Sequence, residues 1–253
     1  MTHRLPQGSP GSSDGGERIA LGRDACASPV DMASSEGGQG STNGPAGLEA
    51  EPAYAAGLFG ESIGRARMFA ADLAQRGEEL GLIGPLELSR LWTRHIVNSA
   101  LVAPLILPGA RVGDIGSGAG LPGLVLAIAR PDAFFVLIEP MERRIDWLLH
   151  ETSKLGLTNV EVLRGRAEEV RLSPLLDQVT ARAVSALAKL LPLVVPLVRS
   201  DGQLLLMKGA SVEAERQAAE KVIRRLRLTD IEILTLGDGV VPEVTRVFRA
   251  TVD

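Results

Sequence analysis

The chain reads as an α/β fold: a doubly wound, mostly parallel sheet of seven strands with an N-terminal helical cap. Three observations predict it. From residue 109 onward, apolar stretches of strand length alternate with amphipathic stretches of helical period. A glycine-rich turn within 111–130, RVGDIGSGAGLPGLVLAIAR, joins the first strand to a helix. The last two strands, 231–236 and 244–251, are linked too tightly for a parallel crossover, so one strand runs in reverse.

The 253 residues suffice for one sizeable core with appendages. Residues 1–54 form the first region. They are rich in Gly, Ser and Pro with no apolar period, cannot bury enough surface to offset the entropy of ordering, and read as a disordered tail. This tail holds three basic residues (Arg4, Arg18, Arg23) and seven acids, and it accounts for the whole net charge of -4. The neutral remainder excludes a general basic field, so any nucleic-acid contact must rest on local patches. The longest apolar run, 190–198, is short and broken by Pro192 and Pro196, and no apolar leader opens the chain, so no membrane partner is expected. One cysteine, Cys26, excludes an internal disulfide and fits a reducing cytoplasm. His3, His95 and His150 show no metal-ligand spacing. A cytoplasmic monomer without metal is expected.

Residues 55–108 form the cap. Ile63, Ala66, Ala70, Leu73 and Ala74 place small and apolar groups on one helical face, Gly81 and Gly84-Pro85 interrupt, and 88–101 forms a second helix. The sheet domain, 109–253, begins with a strand that runs into Gly116, Gly118 and Gly120. A helix opens at Leu121-Pro122, where the missing N–H of proline costs nothing. Residues 133–138, a continuous apolar run, form a strand covered on both faces. A helix over 142–155 stops at Gly156. Further strands are expected at 159–163, 177–184 and 203–207. The helix over 186–198 is kinked or two-part at its prolines, and a charged helix covers 211–228.

Glycines at the strand-to-helix turn permit positive φ and let a ligand approach the main chain. Gly118, Gly120 and Gly123 also satisfy the spacing of dinucleotide-binding turns, so the turn alone leaves the nucleotide open. Asp114, two residues before the first glycine, is expected at the mouth of the site. There it would repel a pyrophosphate and suit a cation, such as S-adenosylmethionine (AdoMet), which carries a sulfonium and an ammonium and no phosphate. Glu139 closes the second strand roughly 20 residues past the glycines, where a carboxylate accepts both hydroxyls of a ribose.

The stretches RLWTRHIVNSA, GDIGSGAGLPGL, LIEPMERR, VLRGRAEE, VTARAV and LLLMKG follow one another in this order. With them the chain resembles the glucose-inhibited division protein B family, bacterial methyltransferases acting on guanine N7 of 16S ribosomal RNA. The likeness runs from about Phe59 to the C-terminus. It implies a class I, Rossmann-like AdoMet-dependent methyltransferase fold and the 30S subunit or its 16S rRNA as partner. It further implies AdoMet contacts at Gly116, Leu121, the Ala167-Glu168 pair and Arg182. A guanidinium beside a sulfonium is a like-charge contact, so Arg182 either pairs with the methionine carboxylate or orients the guanine. Much of the family has Asp-Ser where this chain has Asn98-Ser99, and an Asn-Leu-Thr segment where it has Gly-Leu-Ile-Gly-Pro at 81–85.

Guanine N7 bears a lone pair and no proton. Its methylation needs no general base, and no catalytic acid–base constellation is present in the sequence. Aromatic residues are few, so RNA readout is expected from Arg90, Arg94 and His95 on the cap and from Arg143, Arg144 and Lys208 around the mouth. Three other readings use similar features: a methyltransferase of another substrate, a nicotinamide oxidoreductase, and a non-enzymatic rRNA-binding assembly factor.

Overall fold

A computed structural model describes residues 47–253; the expected tail falls almost entirely outside them. The strands are β1 (Arg111–Ile115), β2 (Phe134–Glu139), β3 (Val160–Arg164), β4 (Leu176–Arg182), β5 (Val198–Lys208), β6 (Leu228–Leu236) and β7 (Thr245–Val252). They form one sheet in the order β3-β2-β1-β4-β5-β7-β6, with β7 antiparallel to both its neighbours and every other pairing parallel. The single reversed strand is thus the last one. The order turns around between β1 and β4, which opens a crevice at the C-terminal ends of these strands.

Alternation along each strand splits the core into two layers. Phe135, Leu137, Leu205 and Met207 face one cluster; Val136, Ile138, Leu204 and Leu206 face the other. The first layer takes α1 (Ala55–Phe59), α2 (Ile63–Arg76), α3 (Asn98–Ala100), α4 (Gly123–Ala129) and α5 (Glu142–Lys154). The second takes α6 (Leu187–Val194), α7 (Val212–Ala218) and α8 (Glu220–Arg225). The cap shares the first cluster: Phe69 and Leu73 of α2 and Trp92 and Ile96 lie in it with Leu124, Ile128 and Trp147. No helix among the described residues is long and apolar enough to cross a membrane.

Local departures from the expected elements have local causes. Helix α4 starts at Gly123 instead of Leu121, although helical bonds from the Leu124 and Leu126 N–H groups already reach back to the Gly120 and Pro122 carbonyls. The expected helix over 88–101 is a 3-10 turn (Leu88–Arg90), a π-helix (Leu91–Val97) and the short α3. The helix over 211–228 divides at Ala219, whose N–H is shared between the Glu215 and Arg216 carbonyls. Strand β5 begins at Val198, not Gln203: a bulge pairs Leu176 with Val198 and Gln178 with Gln203, hiding the first half behind a turn-like Ser-Asp-Gly.

Candidate active site

The glycine turn lies over the crevice and is anchored on all sides. Gly116 N–H donates to the Ile138 carbonyl at 2.8 Å, Gly118 N–H to Glu139 Oε2 at 3.0 Å, and Trp147 Nε1 to the Ala119 carbonyl at 3.0 Å. Gly116 and Gly118 have φ of 69° and 54°, left-handed backbone that side chains disfavour. Both line a cleft of about 380 Å³, with Leu121 beside them. Gly120 faces inward, where a Cβ would sit 2.5 Å from Leu124.

Asp114 is not at the mouth. It is fully buried beneath the turn, with Oδ2 accepting the Gly123 N–H at 3.1 Å and Oδ1 accepting the Thr180 hydroxyl at 3.1 Å. Burial raises its pKa to about 6, against these hydrogen bonds, which favour the charged form. An apolar strand cannot leave an acid at its tip unpartnered, and the nearest unpaired donors are those of the helix it precedes. Glu139 is likewise enclosed: Oε2 meets Gly118, Oε1 accepts the Met141 N–H at 3.0 Å, and Arg144 Nη1 stands 3.9 Å away.

The far wall of the cleft comes from the cap and β4. Glu87 Oε2 lies 2.7 Å from His95 Nε2, and His95 Nδ1 lies 3.0 Å from Arg182 Nη2. Arg182 also donates to the Arg94 carbonyl at 2.9 Å and to Ser99 Oγ at 3.5 Å. Burial, and then the charge of Arg182, lower the pKa of His95 to about 4; burial, and then Arg94, lower that of Arg182 to about 10. A second cleft, of about 520 Å³ at the ends of β4 and β5, shares the Arg94, Arg182 and Ala183 wall with the first. Ala183 has a φ of 54°, a strained position between the two clefts.

The cleft brings together Gly116, Gly118, Leu121, Arg182, Arg94, His95 and Arg144 from the sequence-predicted residues. Ala167 and Glu168 line a separate hollow against Pro192 and Pro196, although Gly165 N–H ties their loop to the Glu139 carbonyl at 3.2 Å. Arg90 is paired to Glu87 at 2.8 Å, and Arg143 is exposed beside Gly81. Two expected RNA contacts turn inward. Both nitrogens of His95 are taken, and Lys208 donates to the Ser185 carbonyl at 2.6 Å and pairs with Glu215 at 2.9 Å. A lysine whose side chain is almost wholly buried at a strand end needs a carboxylate, and the first turn of α7 supplies one. Sequence reasoning missed Glu87, Ser99 and Glu243, which approaches Arg94 at 3.5 Å. Glu87, in an interrupted loop, carries no periodic signal. Ser99 sits inside a quoted motif and was legible as a polar residue on an apolar helix.

This strand order, with a glycine turn and a cleft at its switch point, defines the class I AdoMet-dependent methyltransferase fold. A solved structure of M. jannaschii TYW2 in complex with AdoMet matches it with a TM-score of 0.50 at 19% identity, over 62% of this chain and 74% of that one. The chain belongs to the GidB family, rRNA small subunit methyltransferase G, which matches residues 63–241. It is 65% identical over 205 residues to Ribosomal RNA small subunit methyltransferase G of Clavibacter michiganensis subsp. michiganensis, covering 81% of this chain and 97% of that relative. The protein of the same name from Leifsonia xyli subsp. xyli is 62% identical over 205 residues, covering 81% of this chain and 98% of that one.

Proposed function

We propose that the protein transfers a methyl group from AdoMet to N7 of one guanine in the 16S rRNA of the small ribosomal subunit. The observation that carries this reading is Arg182. This residue lines both clefts, its hydrogen-bond partners are neutral groups, and no carboxylate pairs with it among the described residues. A partly buried charge without a counter-ion is costly, and the methionine carboxylate of AdoMet is a matching partner. Gly116 and Gly118 leave the floor of the cleft free of side chains. In this reading Glu139, each of whose oxygens already holds one main-chain N–H, accepts the ribose hydroxyls with its remaining lone pairs, and the Ala167-Glu168 loop meets the adenine edge, a role supported by its tether to the Glu139 carbonyl.

When bound, AdoMet supplies an electrophilic methyl group on a sulfonium sulfur. The chain's own residues bind and orient. N7 has no proton to lose, and the titratable groups nearby are committed elsewhere: Asp114 lies below the turn, His95 is held at both nitrogens, and Lys208 is paired. Positioning two reactants contributes about 7–11 kcal/mol in favourable cases. The second cleft receives the base, with Asn98 and Arg246 as donors and Glu243 as an acceptor for a guanine edge. Arg90, Arg94, Arg143 and Arg144 rim the approach and meet RNA phosphates or bases.

Calorimetric titration of the full chain with AdoMet and with NAD tests the cofactor. Tritium transfer from AdoMet to 30S subunits, against free nucleosides and protein, tests the substrate. AdoMet binding and label in ribosomal RNA are expected; NAD binding in its place, or label in protein, contradicts the reading.

A further inference from the structure

His95 is held between an obligate acceptor and an obligate donor. The guanidinium of Arg182 has N–H groups and no acceptor, so His95 Nδ1, 3.0 Å from it, must present a lone pair. The ring proton then resides on Nε2, where the Glu87 carboxylate accepts it at 2.7 Å. The two partners therefore fix both the tautomer and the plane of the ring. The groups facing this array are Glu87, Arg90 paired to Glu87, Arg94, Arg182, and Glu243 opposite Arg94. A second proton would place an N–H of the ring against the N–H of Arg182, and burial with Arg182's own charge holds the ring neutral.

The π-helix Leu91–Val97 presents two successive residues to Arg182: the carbonyl of Arg94 and the imidazole of His95. The guanidinium is thereby fixed from the cap, while its backbone belongs to β4.

We infer that His95 is a positioning residue for the cofactor: through Nδ1 it aims the Arg182 guanidinium at the carboxylate end of AdoMet. This rests on the reading of Arg182 given above. His95 touches neither reactant in this account; it acts through its neighbour.

The test is calorimetry on the full chain with two ligands. S-adenosylhomocysteine keeps the methionine carboxylate, whereas 5′-methylthioadenosine lacks the amino-acid end. Three variants are compared. Arg182→Gln removes the cation. His95→Gln extends past the Nδ1 position and offers no acceptor there, while His95→Asn places an amide oxygen near that position. Arg182→Gln and His95→Gln are each expected to weaken S-adenosylhomocysteine roughly 10- to 100-fold, the range for a lost charge-assisted hydrogen bond, and to leave 5′-methylthioadenosine nearly unchanged. His95→Asn is expected to restore most of the affinity.

If Arg182→Gln weakens both ligands alike, the carboxylate reading of Arg182 has failed and the inference falls with it. If Arg182→Gln discriminates and His95→Gln weakens both ligands alike or neither, the Arg182 reading stands and the inference about His95 is overturned. Should His95→Gln not fold, the nitrogen-15 multiple-bond spectrum of the wild-type imidazoles decides. The Nε2–H tautomer of His95 across neutral pH supports the inference, and Nδ1–H or an imidazolium refutes it.

Discussion

The carboxylate of Asp114 accepts a 3.1 Å hydrogen bond from the main-chain N–H of Gly123, across the turn that separates them. The bond closes the glycine turn from below and leaves its upper side to the cleft. A Cβ on Gly123 would stand 2.4 Å from Leu137 and 2.5 Å from Asp114 Oδ2, so this glycine serves helix–strand packing. Gly123→Ala should lose about 1–3 kcal/mol in urea denaturation through overpacking. At Gly118 the nearest atom to such a Cβ is 3.7 Å away, and the residue faces the cleft. Gly118→Asp should fold with a loss of only about 1–2 kcal/mol from its left-handed backbone, yet lose AdoMet binding by calorimetry.

Glu151 of α5 is fully enclosed against Asp72 of α2, with neither oxygen hydrogen-bonded. Lys154 pairs with Asp72 at 2.6 Å, and His150 Nε2 stands 3.9 Å from Glu151. Burial, and then the charge of Asp72, raise the Glu151 pKa from 4.5 to about 7, with Lys154 and Arg76 opposing. A raised carboxyl pKa means the folded chain holds the proton more tightly than the unfolded one. Stability therefore falls as pH rises from 4.5 to about 7, by an amount on the order of 2–3 kcal/mol. Glu151→Gln should raise the melting temperature above that window and leave it unchanged or lower below it.

Lys208 illustrates what sequence reading could and could not reach. Its place at the end of a strand was legible, as were the sheet, its reversed last strand and the glycine turn, because these follow from apolar period and turn chemistry. Which way a charged side chain turns depends on partners far along the chain. The inward bonds of Asp114 to Thr180, His95 to Arg182 and Lys208 to Glu215 leave no periodic trace. Glu87 and Glu243 come from irregular segments for the same reason.

The Lys208 pair gives its own prediction. Lys208→Met leaves Glu215 without its main partner and should cost about 1.5–3 kcal/mol by denaturant titration. An RNA-contact role alone would instead leave stability unchanged and reduce the salt dependence of RNA binding.

Arg143 is exposed, outside both clefts, on the first turn of α5. Arg143→Ala should weaken binding to 16S rRNA, lower the slope of log affinity against log salt by about 0.7–0.9, and leave AdoMet affinity unchanged. Arg94 and Arg144, unlike Arg143, line the cleft that holds Gly116. Their replacement should lower AdoMet and RNA binding together.

The most direct measurement is to incubate the full chain with AdoMet and undermethylated 30S subunits, then map N7-methylguanine in the 16S rRNA by borohydride reduction and aniline cleavage. One new cleavage at a single guanine, lost in Arg182→Gln, is the predicted result. No cleavage despite bound AdoMet, or methyl groups recovered at another atom or in another macromolecule, would contradict it.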